Sequence, residues 1–241
     1  MSGENRLSDS AWDALRHAST ATLTFQLLRR GFGNLFMQGL IPLRPDLRMV
    51  GYARTLRYVP ARSDIQTGLE YDNRKNVQRL AVEAVGEREI LVIDARGVTS
   101  AAALGHILAT RLRVRGAAGI VTDGAFRDSP AFRKLDLASY AAGANGNTAL
   151  TVHYPVDLDV PIGCAGVLVL PGDVLVGDAE GVVVIPASVA ESVAADAEAQ
   201  ESLEEFILSK IEGGAPIAGV YPADETTLAE FAHQAEGRGA G

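Results

Sequence analysis

The chain has little cysteine: Cys164 is its only one, so an internal disulfide is excluded and a thiolate zinc site cannot form. The residues around it, 162–166, are small and apolar, which predicts a buried structural cysteine. No apolar run approaches the roughly 18 residues that cross a bilayer. The N-terminus also lacks the basic and then apolar regions of a signal peptide. We therefore expect a cytoplasmic protein with no membrane partner.

Positive charge is also scarce, with 22 Lys and Arg against 30 Asp and Glu and a formal net charge of −8. A nucleic-acid surface needs clustered basic residues, so we expect no nucleic-acid partner. Arg111, Arg113 and Arg115 are close in sequence, but residues two apart on a helix do not share one face, and we expect solvated surface there. The hydrophobic content of 47% over 241 residues is typical of one globular domain.

Hydrophobic periodicity predicts helices and strands in mixed order. The predicted helices cover residues from Ser8 or Ser10 to His17, then 20–30, 72–84 and 188–211; the predicted strands cover 49–59, 89–94, 118–122, 156–160, 167–170 and 182–185. The order lacks the regular alternation of a TIM barrel. No Gly-rich dinucleotide fingerprint follows a strand, so a Rossmann fold is excluded as well.

The centre of the chain reads as strand, helix, strand, the length of a βαβ unit. Leu104, Leu108 and Leu112 recur at helical spacing within the segment 101–115. Because serine and threonine favour the N-cap position, local capping rules predict that this helix begins at Thr99 or Ser100. After the second strand, Asp123 and Gly124 predict a tight turn.

The segment 119–128 contains the residues most suited to chemistry, because Arg127 and Asp128 follow a buried strand. Ligands of α/β sheets tend to lie just beyond the carboxyl ends of strands. A guanidinium can bind a carboxylate or a keto oxygen, and a carboxylate can hold a hard divalent cation. On spacing alone, a surface turn with an incidental ion pair is an equal alternative.

Two motifs resemble the RraA-like family of class II pyruvate aldolases, which includes 4-hydroxy-4-methyl-2-oxoglutarate aldolases and the regulator of ribonuclease activity A. The segment 119–128 matches the family pattern GxxxDGxxRD in register. The segment 171–186 is similar to PGDxxxxDxDGVVVxP, with Glu180 in place of the commoner aspartate. Upstream, Gly105 matches the Gly-rich start of a helix, but His106 stands where the family has a small residue.

The resemblance implies an α/β fold, an RraA-like mixed-sheet αββα sandwich of the swivelling-domain type. Residues 1–241 would form a single domain, with an N-terminal helical extension at 1–45 and a C-terminal helix and tail at 187–241. The family arrangement requires the helix to be interrupted near Gly105. We prefer this arrangement to the helix start at Thr99 or Ser100 that local capping rules predict. The resemblance also implies a homotrimer or a hexamer with sites between subunits.

The resemblance assigns roles to individual positions. Arg127 would bind a small 2-oxo acid and stabilise its enolate, and Asp128 would anchor Mg²⁺ or Mn²⁺ mostly through water. The substrate carboxylate would bind where the chain passes Gly105 and His106, on the backbone amides of Ile107 and Leu108. An acid from a neighbouring subunit would complete the site; the candidates are Glu201, Glu204 and Glu205.

The implied function is a divalent-metal-dependent lyase that cleaves a short 4-hydroxy-2-oxo acid to pyruvate, with oxaloacetate decarboxylation as a related activity. Two alternatives are a regulator that binds and inhibits a ribonuclease, and a lyase or hydratase acting on a sugar-derived 2-oxo acid. Asp128 favours the lyase, because regulator-type members carry a non-acidic residue beside the arginine.

The remaining candidate residues either have an undecided role or are expected to be structural. His106 could narrow the pocket, bind a substrate acid, join the metal shell, or face solvent or a neighbouring subunit. We expect structural roles for the other histidines and for three acids in the second motif: His17, His153, His233, Asp173, Asp178 and Glu180. The tail after residue 214, with Tyr221 and Phe231, is expected to pack on a neighbour or on the body.

Overall fold

The computed structural model of the protein describes residues 6–65 and 72–239. The start of the predicted extension and the last two residues of the predicted tail lie outside these ranges. The helices are α1 (Asp9–His17), α2 (Thr20–Arg29), α3 (Val77–Ala84), α4 (His106–Val114), α5 (Ser129–Phe132), α6 (Ala190–Glu212) and α7 (Glu225–Gly239). The strands are β1 (Ile41–Pro42), β2 (Met49–Pro60), β3 (Glu89–Asp94), β4 (Ala102–Leu104), β5 (Gly119–Phe126), β6 (Ala138–Ala144), β7 (His153–Leu158), β8 (Ile162–Cys164), β9 (Val167–Val169), β10 (Val174–Gly177) and β11 (Val182–Ile185).

One mixed sheet organises the described residues. Its main order is β1-β6-β5-β3-β2-β10-β11, with β4 added to β5 and β7 added to β2. The central pairs β2–β3, β3–β5 and β5–β6 are parallel, whereas β10, β11, β7 and β1 join in antiparallel fashion. Strands β8 and β9 form a separate two-stranded ribbon. The sheet is therefore parallel at its centre, and the carboxyl ends of β2, β3, β5 and β6 lie along the same edge.

Side chains alternate between an inner and an outer core along each central strand, as the two-residue period of a strand requires. In β3, Ile90 and Val92 belong to an inner cluster with the ribbon, whereas Leu91 and Ile93 pack in the cluster of α3 and α4. Valines of β11 alternate in the same way between the inner cluster and a second outer cluster that includes α1, α2 and α6. Helices thus cover the outside of a curled sheet, which confirms the predicted mixed α/β fold.

The two N-terminal helices share a core with the long helix α6 and with β10 and β11. Ser8 caps α1 by accepting a hydrogen bond from the Ala11 N–H. Thr20, at the start of α2, donates its N–H and its hydroxyl to the buried Asp178 carboxylate at 2.8 and 3.0 Å. Asp178 also accepts from the Glu180 N–H at 2.9 Å, so it shapes its turn as expected and joins α2 to the sheet.

The helix start expected at Thr99 or Ser100 is wrong, and the break near Gly105 is confirmed. Residues Ala102–Leu104 form β4, which pairs in parallel with the end of β5, and α4 begins only after Gly105. The three residues of β4 are buried, so strand pairing and burial override the local helix signal.

The tight turn expected at Asp123 and Gly124 is also wrong, because β5 continues through both residues to Phe126. The Asp123 carboxylate accepts hydrogen bonds from the N–H groups of Ala95 and Gly97 at 2.6 and 2.8 Å. A Cβ at Gly124 would lie 2.6 Å from the Ala95 Cβ, closer than two carbon atoms can approach. The two residues therefore hold the loop after β3 against β5.

Several element boundaries differ from the sequence prediction. Strands β6, β8 and β10 were not predicted, and β7 covers His153–Leu158 rather than 156–160. Helix α3 begins at Val77, where Asn76 caps it, instead of at residue 72. The tail contains α7, and its Phe231 packs on Phe206 of α6 with ring centroids 5.6 Å apart.

The structure also tests the predictions for Cys164, for the arginines at the end of α4 and for membrane-spanning segments. Cys164 is fully buried, as predicted, with its thiol 3.6 Å from the Ile93 carbonyl. Arg111 and Arg115 both reach Glu83 of α3, at 2.7 and 3.5 Å, so they bind a neighbouring helix besides contacting solvent. Among the described residues no helix combines the length and the apolar character needed to cross a membrane.

We predict that Gly124→Ala destabilises the protein by about 1–3 kcal/mol, because the added methyl group overlaps the fixed Ala95 Cβ. Gly163→Ala is the matched control: Gly163 also lies in a strand, and a Cβ there meets nothing within 4 Å. Urea unfolding of both variants would measure the difference. If the two variants had equal free energies of unfolding, the loop after β3 would be able to shift and accommodate the methyl group without cost.

Candidate active site

A cavity of about 510 Å³ lies beside the carboxyl ends of β4 and β5. Its wall includes the chain from β4 into the first turn of α4, one side of α3, the start of β7, and Arg127 and Asp128. The cavity therefore lies where ligands of parallel sheets usually bind.

Arg127 and Asp128 are held beside Gly105 at this edge. The Arg127 N–H donates to the Leu104 carbonyl at 3.0 Å, which ties the end of β5 to the end of β4. A Cβ at Gly105 would lie 3.3 Å from Asp128 Oδ2 and 3.6 Å from Arg127 Nε. The contact is tighter than most Cβ contacts, so a glycine suits this position.

Asp128 has a left-handed backbone, with φ 64° and ψ 36°, which is unfavourable for a residue other than glycine, asparagine or aspartate. It precedes α5, yet its side chain does not cap that helix. Instead Oδ2 accepts from the His106 N–H at 3.3 Å and lies 3.6 Å from Arg127 Nε. With this backbone conformation the Asp128 carboxylate lies at the cavity wall.

The donor set around Asp128 fits a hard divalent cation held largely by water. Oδ1 of Asp128 has no hydrogen-bond donor among the described residues, and the side chain is about half exposed, at 47%. Within the same part of the chain, no group of three or more His, Cys, Asp or Glu residues could hold a metal by itself. One open carboxylate suits Mg²⁺, which keeps several waters, rather than Zn²⁺, which requires several nitrogen or sulfur ligands.

The first turn of α4 offers backbone donors to the same cavity. Gly105 is its N-cap residue and supplies no side-chain cap. The His106 N–H is used by Asp128, and the N–H groups of Ile107 and Leu108 find no acceptor in the described part of the chain. Both residues line the cavity. Free amides at a helix N-terminus favour an anion.

Comparison with known proteins identifies the family to which the chain belongs. The family model RraA-like, described as Aldolase/RraA, matches residues 8–184. The chain belongs to the RraA-like family. The match includes α1 and α2, the first motif, all but the last two residues of the second motif, and the residues that line the cavity.

Individual relatives agree with this assignment. A Halalkalibacterium halodurans protein, provisionally named a 4-hydroxy-4-methyl-2-oxoglutarate aldolase, is 32% identical over 68% of this chain and 72% of its own length. The structure of RraAS2 from Streptomyces coelicolor, described as an unusual member of the RNase ES inhibitor RraA protein family, has a TM-score of 0.75 and 31% identity. It covers 83% of this chain and 96% of its own. An uncharacterised protein from Pseudomonas syringae pv. tomato gives a TM-score of 0.76 at 25% identity, over 89% and 98% of the two chains.

His106, which departs from the RraA-like pattern, does not line the cavity. Its ring packs edge-on against Phe132, with centroids 6.4 Å apart, and its Nε2 lies 3.3 Å from the Thr110 hydroxyl. The side chain therefore lies against α4 and α5, and only its backbone N–H reaches Asp128.

The three acids considered for a neighbouring subunit lie on α6, and none of them lines the cavity of its own chain. Glu201 accepts from the Ser19 N–H at 2.8 Å, and Glu204 accepts from the Gln200 amide at 2.7 Å. Glu205 is exposed. The structure thus brings together Gly105, Ile107, Leu108, Arg127 and Asp128, but not these acids.

Sequence reasoning missed one polar wall of the cavity, which includes Tyr58, Gln78 and His153. His153 was expected to be structural, and it is indeed 1% exposed, but it also lines the cavity. These residues are 20 and 75 positions apart along the chain, and no motif links them. The pairing of β7 with β2 brings His153 close to Tyr58, and α3 supplies Gln78, which donates to the Tyr58 hydroxyl.

The left-handed backbone at Asp128 leads to a stability prediction. Asp128→Gly should be more stable than Asp128→Ala by about 1 kcal/mol, because glycine adopts φ near 64° without a steric penalty and alanine does not. Urea unfolding of the two variants, both of which lack the carboxylate, isolates the backbone effect. A more stable alanine variant would show that the conformation is not strained.

Proposed function

We propose that this RraA-like protein is a divalent-metal-dependent lyase that cleaves a short 4-hydroxy-2-oxo acid to pyruvate. The observation that supports it most is the open Asp128 carboxylate, held beside Arg127 and the free amides of α4 in one cavity. The provisional name of the Halalkalibacterium relative points to the same reaction.

In this proposal the substrate binds by its pyruvyl end. Its carboxylate accepts hydrogen bonds from the Ile107 and Leu108 N–H groups, where the partial positive charge of the helix end favours an anion. The Arg127 guanidinium donates to the keto oxygen. Arg127 is 45% exposed and ends beside Asp128, so it can reach a ligand without breaking a buried ion pair.

Asp128 would hold Mg²⁺ or Mn²⁺, since both ions prefer oxygen ligands. When bound, the cation would act as a Lewis acid that polarises the 2-oxo acid and orients it. The Asp128 N-cap conformation keeps the carboxylate out of α5 and available for this role.

Bond cleavage places an electron pair on the carbon that becomes the methyl group of pyruvate, and this charge spreads onto the keto oxygen as an enolate. Arg127 stabilises that oxygen with a donor already in position, which is effective because little reorganisation is needed. The proton of the 4-hydroxyl group passes to water beside Asp128, and the enolate carbon takes up a proton to give pyruvate. Decarboxylation of oxaloacetate gives the same enolate, so one site can serve both reactions.

We further propose a homotrimer or a hexamer in which Glu201, Glu204 or Glu205 of a neighbouring subunit approaches this cavity. Ile107 is 80% exposed at the cavity rim, which leaves room for a neighbouring chain to cover it.

A regulator that binds and inhibits a ribonuclease is the second candidate. It is supported by the likeness to the Streptomyces protein, whose family is described by RNase ES inhibition. A lyase or hydratase acting on a sugar-derived 2-oxo acid is a third candidate, since the cavity, at about 510 Å³, has room for more than pyruvate.

The test is pyruvate release from oxaloacetate and from 4-hydroxy-4-methyl-2-oxoglutarate, with Mg²⁺ and with EDTA. We expect metal-dependent turnover in the wild type and a loss of about 100-fold or more in Asp128→Asn and in Arg127→Met. Asparagine tolerates the left-handed backbone, so Asp128→Asn removes charge without adding strain.

Asp13→Asn is the matched control, because Asp13 is an exposed aspartate on α1 that does not line the cavity. It should keep full turnover. Turnover that survives EDTA, or that survives Asp128→Asn, would refute the metal-dependent lyase. A folded wild type that turns over neither substrate would direct attention to the second and third candidates.

A further inference from the structure

In the part of the chain that the structure describes, strand β4 has a sheet partner on one side only. It pairs with β5, while Ala102 to Leu104 line the cavity on the other side. A buried carbonyl without a donor costs free energy, so the carbonyls that face away from β5 need other partners. Side chains of the polar cavity wall supply them.

The Ala103 carbonyl accepts two side-chain hydrogen bonds. Tyr58 donates its hydroxyl at 2.9 Å, and Gln78 donates its amide at 2.7 Å. The Gln78 amide also donates to the Tyr58 hydroxyl oxygen at 2.7 Å. The three groups form a closed triangle in which each member limits the motion of the others.

The Ala101 carbonyl lies 3.4 Å from Nε2 of His153. On the other side of that ring, the Arg96 guanidinium lies 3.2 Å from Nδ1. Arginine can only donate, so Nδ1 must accept, and the ring must be neutral with its proton on Nε2. His153 therefore donates through Nε2 to the residue that precedes β4 while it accepts from Arg96 at Nδ1, and only the neutral ring can do both.

We propose that Tyr58, Gln78 and His153 are positioning residues that hold β4, and through it the Gly105 turn, in the geometry that binds the substrate carboxylate. This inference rests on the proposed function for its catalytic consequence, but its structural consequence is independent. Only Leu104 lies between Ala103 and Gly105, and the Ile107 and Leu108 amides follow in the first turn of α4. A shift of β4 therefore moves the anion site relative to Arg127.

Charge at His153 should matter for the same reason. The groups that face its ring are Arg96, from the loop after β3, and Tyr58, from β2, whose ring centroid lies 5.4 Å away. Burial first, and also the nearby Arg96 charge, lower the pKa of His153 below its usual value, whereas the hydrogen bond to Ala101 acts in the opposite direction. The neutral form thus persists below the ordinary pKa of about 6.5. As pH falls through the lower value, Nδ1 gains a proton and loses its hydrogen bond from Arg96, and the two positive charges then repel each other, although Nε2–H can still donate to Ala101.

The experiment compares His153→Phe with His153→Gln in the full-length protein. Phenylalanine keeps the ring but neither nitrogen, whereas glutamine can donate to Ala101 and accept from Arg96 without titrating. Gln78→Met tests the second contact point. Thr148→Val is the control, since Thr148 lines the cavity but makes no hydrogen bond to β4.

Hydrogen exchange is measured first, without metal or substrate. We expect backbone amides of residues 101–106 to exchange about 10-fold faster in His153→Phe and Gln78→Met, with those of β3 unchanged. His153→Gln and Thr148→Val should resemble the wild type. No change in residues 101–106 would overturn the proposal, and so would an equal change in β3, because that would indicate general destabilisation.

Steady-state kinetics provide the second measurement. His153→Phe should raise KM by about 10-fold with little change in kcat, as expected when ground state and transition state lose the same contact. The wild-type KM should rise at acid pH, and His153→Gln should lack that rise. A fall in kcat with KM unchanged would instead indicate fewer folded molecules and would overturn the positioning role.

The two measurements separate this inference from the proposed function. If the wild type releases no pyruvate, the lyase proposal fails, but hydrogen exchange still decides whether these residues hold β4. If the wild type is active and exchange is unaltered in both variants, the lyase stands and the positioning proposal fails.

Discussion

The parallel pairing of β4 with the end of β5 is the contact on which the site depends. It is completed by the hydrogen bond from the Arg127 N–H to the Leu104 carbonyl, at 3.0 Å. This contact places the start of α4 and the Arg127–Asp128 pair at one edge of the sheet, although they are about twenty residues apart along the chain. Without it, the Gly105 turn would be the middle of a helix, and its amides would be used within that helix.

Hydrogen bonding distinguishes three structural aspartates in the two motifs from Asp128, the proposed metal ligand. Asp123 is buried and accepts from the Ala95 and Gly97 N–H groups, and burial raises the pKa of its carboxyl. Asp173 and Asp178 are also buried and accept backbone N–H groups from distant or adjoining segments. Asp128 alone among these four is half exposed with an oxygen left open, as a group that binds a ligand must be.

An uncommon backbone conformation occurs where this ligand would bind. The left-handed Asp128 lies between the pairing of β4 with β5 and the packing of α5 through Phe132, which hold it in place. His106 takes part through its backbone, while its ring packs on Phe132. A bulky residue is therefore accommodated at a position where the family has a small one, without narrowing the cavity.

The amino-acid sequence alone was enough to predict the family, the fold class, the cap of α1 and the buried strands β3 and β11, and to select Gly105, Arg127 and Asp128 as candidate site residues. These features depend on short-range patterns: runs of apolar residues, helix caps and contiguous motifs. Tertiary structure decided what depends on partners far away in sequence. Strand β5 passes through Asp123 and Gly124 because residues 95 and 97 supply donors to that carboxylate, and β4 replaces a helix because β5 pairs with it. His153 became part of the cavity wall only because β7 pairs with β2, since an isolated histidine has no local pattern that reveals its neighbours.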